Sequence, residues 1–146
     1  MVHIVDRLRE DHQRMAELLE KIRQQTDGSA ERRGNFARAL RYELAAHTAF
    51  EEEVFYPALR ESDDVTAVVA EAVTELRQAA AMVESMLAME PASAEFTTTL
   101  GALEATVSSH RRREEEAIFP VAQKAIGPGE AEELSERHDA MGRDHA

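Results

Sequence analysis

The chain contains no cysteine and no tryptophan in 146 residues, and only 5% of it is aromatic. Without cysteine there can be no disulfide, no thiolate metal site and no cysteine nucleophile, which fits a reducing compartment. Basic residues are also few: 17 Lys and Arg stand against 29 Asp and Glu, for a formal charge of −12. That balance excludes general binding to nucleic acid or to an anionic membrane, since both require a basic footprint. The short run Arg111-Arg112-Arg113 inside so acidic a chain does not make a nucleic-acid patch. No stretch approaches the roughly 20 apolar residues of a membrane span. The N-terminus reaches His3 and Asp6 before any apolar run develops, so no signal peptide is expected. There is no glycine-rich phosphate loop and no nucleophile elbow. These absences predict a soluble, cytoplasmic protein, a monomer or weak homodimer, without nucleic-acid or membrane partners.

What remains is helical in character. Ala, Glu, Leu and Arg are abundant, and 43% of the residues are hydrophobic and 32% charged. The length suits one domain, since domains commonly run to about 100–150 residues. Breakers at Asp27-Gly28-Ser29, Ser62-Asp63-Asp64, Pro91 with Ser93, and Gly127-Pro128-Gly129 leave four long segments and a tail. Each long segment carries apolar residues three and four apart, the signature of an amphipathic helix. The stripes are Val5, Leu8, Met15, Leu18, Leu19 and Ile22; Phe36, Leu40, Leu44, Phe50, Val54 and Phe55; Val65, Val69, Ala72, Leu76, Ala79, Val83 and Met86; and Phe96, Leu100, Leu103, Val107, Ala117, Ile118 and Val121. Met82, Met86 and Met89 read as core or near-core filler. Short connections make successive helices antiparallel, so the expected fold is all-α, a single-domain up-down four-helix bundle. A short fifth helix is predicted over about 130–143.

Two strings stand out, His47-Thr48-Ala49-Phe50-Glu51-Glu52-Glu53-Val54-Phe55-Tyr56-Pro57 and His110-Arg111-Arg112-Arg113-Glu114-Glu115-Glu116-Ala117-Ile118-Phe119-Pro120. His47 and His110 are 63 residues apart, and the stripe of the first helix falls on that of the third at an offset of 64. The chain reads as a duplicated helix pair. Pro57 and Pro120 should each kink or end their helix.

Within each string, His and Glu four residues apart project from one helix face, inside the apolar stripe. His12 lies inward between Leu8 and Met15. Three imidazoles (His12, His47, His110) and two carboxylates (Glu51, Glu114) therefore converge where a bundle has its core. Ionised carboxylates are costly to bury unless paired or bound to metal. A cation that takes nitrogen and oxygen ligands answers for all five groups together, and iron, manganese or zinc suits such a set. Glu52, Glu53, Glu115 and Glu116 are read as solvated, His3 and His145 as exposed, and Tyr42 and Tyr56 as packing residues off the ligand face.

These residues resemble the hemerythrin-like, or HHE cation-binding, domains. The resemblance rests on Asp11-His12, on His47 and Glu51 running to Pro57, and on His110 and Glu114 running to Pro120, and it covers roughly residues 3–125. It implies a four-helix bundle around a non-haem di-iron centre with an oxo or hydroxo bridge. Carried over by position, Glu51 and Glu114 are bridging carboxylates, while His12, His47 and His110 are terminal ligands. Such domains place a further His in the third helix, where this chain has Leu76. Hemerythrins proper add another one turn later, where Ala80 stands. Water, Glu75 or His138 could complete the second iron, or the chain could hold one metal. Arg113, one position before Glu114, could lean toward the core and compete with a second cation. The resemblance implies action on hydrogen peroxide, oxygen or nitric oxide. The foremost reading is a peroxide-decomposing (catalase-like) oxidoreductase; the alternative is a module that binds or senses iron, oxygen or nitric oxide without turnover. A third is a structural bundle whose site has decayed. Reversible oxygen carriage is disfavoured, because it needs five imidazoles and this core offers three.

Overall fold

A computed structural model describes residues 3–25 and 30–145; the breaker Asp27-Gly28-Ser29 and the side chain of His145 fall outside the described residues. Helix α1 (Ile4–Gln24) packs along α2 (Ala30–Phe50). A wider turn over Glu51–Phe55 carries α2 into the short α3 (Tyr56–Ala58). A 3-10 turn at Asp63–Val65 leads to α4 (Thr66–Leu87), which packs along α5 (Ala94–Arg113). A second wider turn, Glu114–Ile118, carries α5 into α6 (Phe119–Ala125), and α7 (Pro128–His145) lies against α1 and α2. Contacts of α2 with α4 and of α1 with α5 join the two helix pairs into one bundle. No strand occurs among the described residues. The fold is the expected all-α bundle, and the tail helix starts two residues earlier than its sequence suggests.

In both wider turns the backbone bonding passes from four residues back to five. The Tyr56 N–H donates to the Glu51 carbonyl, and the Phe119 N–H to the Glu114 carbonyl. Each proline follows at once. It has no N–H to offer the carbonyl four residues before it, so a preceding wide turn accommodates it. After Pro57 the helix ends at Ala58, whereas after Pro120 it runs on to Ala125. The extra residue in each turn also rotates everything beyond it, which matters for Tyr56.

The stripes are buried as expected, apart from partly exposed members such as Leu18, Phe36 and Val107. They form two apolar clusters. One joins Leu8, Phe50, Phe55, Ile118 and Phe119, and the other joins Met15, Leu44, Leu76 and Leu103. Between them in sequence, on three helices, fall His12, His47 and His110. The bundle is thus two dry layers with a polar layer between. At one end, buried Arg33 donates to the Ile22 carbonyl at 3.0 Å and the Pro91 carbonyl at 2.6 Å, and its guanidinium lies over Phe96. From α2 it ties the end of α1 to the turn between α4 and α5.

Candidate metal centre

Helix α1 supplies His12, α2 supplies His47 and α5 supplies His110, while Glu51 and Glu114 open the two wider turns. All five are buried, the two carboxylates completely. One donor atom each from His12, His47, His110 and Glu114 lies within 4.8 Å of every other. Glu114 Oε1 is 2.9 Å from His12 Nε2, 2.8 Å from His110 Nε2 and 3.7 Å from His47 Nε2. Glu51 Oε1 is 2.8 Å from His47 Nε2 and 3.0 Å from His110 Nε2. The three Nε2 atoms therefore crowd two shared carboxylates. Even so, Glu51 Oε2 is buried without a hydrogen-bond partner, and His47 Nε2, though close to Glu51 Oε1, makes no well-aligned hydrogen bond. Orphaned donors facing one another fit a cation better than they fit a self-contained polar network.

Around this set lies an outer ring. Asp11 Oδ2 accepts from His47 Nδ1 at 2.8 Å and from His138 Nε2 of α7 at 2.8 Å. Its other oxygen accepts from Arg14. Glu75 lies 4.0 Å from His110 Nδ1 and accepts from Arg113 and Ser109. Asp11 and Glu75 are 64 residues apart, the same offset that relates the helix pairs. Each half of the duplication thus sets a carboxylate behind its own histidine. Tyr56 donates from its hydroxyl to Glu114 Oε2 at 3.1 Å, and the Phe119 ring stacks on His12 at 5.7 Å.

The electrostatics follow from these contacts. Burial disfavours the His110 imidazolium, but the charges of Glu114 and Glu51 outweigh it and push the pKa up to about 10. Burial opposes charge on His47 as well, yet the Glu51 charge and the bond to Asp11 raise its pKa well above the usual value. Burial also works against ionised Glu114; hydrogen bonding with Glu51 and the charge of His110 prevail and hold it well below the carboxylate range. Asp11 is likewise held low against its burial by His138 and His47. Burial and then the two glutamates drive the Tyr56 hydroxyl far upward, so it remains a donor. Without metal, the His47 and His110 imidazoliums balance the carboxylates.

Several expectations need correction. Arg113 does not lean into the core: it turns outward onto Glu75 and Glu71. Glu75 is mostly buried, its side chain 12% exposed, and stands on the far side of the His110 ring. His138 reaches Asp11, behind His47, and so does not complete a second site beside His110. Leu76 is buried and lines a small cavity with His12 and His110, as the repeat requires, but Ala80 is exposed and the inward residue one turn on is Ala79. Tyr42 is 54% exposed rather than packed. His3 is half-buried and caps α1, its Nδ1 accepting from the Val5 N–H at 3.2 Å. Spacing alone singles out neither Asp11 nor Tyr56 as a partner of the cluster. For Asp11 the sequence does carry a signal, its offset of 64 from Glu75.

A four-helix bundle with a buried His/Glu cluster between two apolar layers defines the class. The hemerythrin HHE cation-binding domain model matches residues 3–122, and the chain belongs to that family. It is also similar to the crystal structure of a hemerythrin HHE cation-binding domain-containing protein from Mycobacterium kansasii. That likeness has 25% identity and a TM-score of 0.84, and it covers 99% of this chain and 88% of the other. No curated protein matches. No helix among the described residues is long and apolar enough to cross a membrane.

Proposed function

We propose that this protein holds non-haem iron, two ions per chain, and breaks down hydrogen peroxide at that centre. His12 and His47 would serve one ion and His110 the other, with Glu51 and Glu114 shared between them. The observation that supports metal binding is the convergence of three imidazoles and Glu114 within 4.8 Å, in a buried layer, while the second ion rests on the likeness to the family. Iron at such a site would supply a redox relay, one peroxide being oxidised to dioxygen and its two electrons reducing a second to two waters.

The chain's own groups hold this centre. Tyr56 donates to Glu114 Oε2 and fixes that carboxylate, while Phe119 fixes the His12 ring plane. Leu76 brings no donor to the small cavity it shares with His12, His110 and Glu75. Asp11 behind His47 orients that ring, as second contacts of metal-bound histidines commonly do. The test is oxygen evolution on adding hydrogen peroxide to iron-loaded protein. Rapid turnover is expected. A stable coloured adduct without turnover would replace this reading with a module that binds or senses iron, oxygen or nitric oxide.

A further inference from the structure

His138 lies outside the matched family residues, on a helix that supplies no donor to the buried cluster. Yet it reaches the cluster's outer ring. Its Nε2 is 2.8 Å from Asp11 Oδ2, the same oxygen that meets His47 Nδ1 at 2.8 Å. Its ring packs edge-on against Phe50 at 5.0 Å, which leaves it little freedom to turn away. Arg7 on α1 meets the neighbouring Asp139 at 3.4 Å and holds the same stretch of α7 in place. We infer that His138 is a positioning residue for the metal centre: α7 uses it to hold Asp11, and Asp11 in turn fixes the ring and tautomer of His47.

The chemistry is specific. With its Nδ1–H committed to Asp11, His47 turns Nε2 inward, toward Glu51 Oε1 at 2.8 Å and Glu114 Oε1 at 3.7 Å, where that nitrogen would give up its proton to take a metal. A carboxylate free to rotate would not enforce that choice. Asp11 is fixed from three sides, by His47, by His138 and by Arg14. The other half of the duplication differs: Glu75 is held by Arg113 and Ser109 but stays 4.0 Å from His110 Nδ1, which has no hydrogen-bond partner. The two histidines are therefore supported unequally, and only the His47 side depends on the fifth helix.

This inference rests on the metal-centre reading, and the experiment separates the two. The full chain, with His138→Leu, His138→Gln and Asp11→Asn variants, is titrated with zinc as a diamagnetic probe and with ferrous iron, each against a chelator. The downfield His47 Nδ1–H resonance of the zinc form is recorded alongside. His138→Leu is expected to weaken both metals by about 10–100-fold, the usual loss when a ligand's outer partner is removed, and to move or broaden that resonance. His138→Gln, which can still donate to Asp11, is expected to recover much of the affinity. If His138→Leu fails to fold, Asp11→Asn carries the test, with the same loss expected. Unchanged affinity together with an unchanged resonance in the Leu and Asn variants would overturn the inference. Absence of metal from the wild-type chain would instead overturn the reading beneath it.

Discussion

Glu51 and Glu114 sit at complete burial with imidazoles at hydrogen-bonding distance, so each carboxylate is shared by more than one histidine. Glu51→Ala and Glu114→Ala are each expected to lose most bound iron, measured as metal per chain after desalting. His47→Ala or His110→Ala removes one end-on donor and should weaken binding less. Full metal content in either glutamate variant would rule out the bridging role. Leu76→His places an imidazole on the cavity shared with His12 and His110. It should tighten the second metal and slow peroxide turnover, at a loss of on the order of 1–3 kcal/mol of apolar burial in the metal-free protein. Unchanged second-metal affinity would mean that the new ring does not reach the cluster. His47, Glu51, His110 and Glu114 are legible from spacing, because a His and a Glu four apart on an apolar stripe put a carboxylate where only a cation or a buried donor can balance it, and His12 is legible from its inward place between Leu8 and Met15. Asp11 is not, since a carboxylate beside an inward histidine reads equally well as surface.

The wider turns at Glu51–Phe55 and Glu114–Ile118 explain why the sequence makes Tyr56 look like a packing residue. A uniform period of 3.6 residues carries Tyr56 off the ligand face, whereas one extra residue in the turn brings its hydroxyl onto Glu114. The prolines mark where the helices change, but not that the change comes one turn earlier. Arg33 is hidden for a related reason. Its partners are carbonyls near the end of α1 and in the turn between α4 and α5, which no periodicity reveals. Arg33→Ala leaves the Ile22 and Pro91 carbonyls short of a charged donor and strips a cation from Phe96. The expected loss is on the order of 2–3 kcal/mol in a urea titration, with metal stoichiometry unchanged because Arg33 takes no part in the buried cluster. A parallel loss of metal would mean that the two ends of the bundle are coupled.

The four long helices and the tail helix are legible, since each long one carries an apolar stripe between clear breakers, whereas the short α3 and α6 beyond the wider turns are not. Less legible is the docking of α7, whose contacts with α1 and α2 include polar ones such as His138 to Asp11 and Arg7 to Asp139. Metal should stabilise the whole molecule, because it binds the folded cluster and not the unfolded chain. The stabilisation should grow with pH. In the metal-free protein the pKa of His110 is raised from 6.5 to about 10, so its charged form stabilises the fold fully below 6.5 and that contribution is lost as pH rises toward 10. The gap in melting temperature between zinc-loaded and chelated protein is therefore expected to widen over that range. A gap that narrows would show that the imidazoles are not held by the carboxylates as described. Whether the buried His/Glu cluster is a metal centre is tested most directly by iron per chain, measured on untagged protein loaded anaerobically and desalted beside Glu114→Ala. Two ions per wild-type chain, with most of them lost in the variant, is the expected result. A wild-type chain that retains no iron, or a variant that retains it all, would contradict the assignment of the cluster as a metal centre.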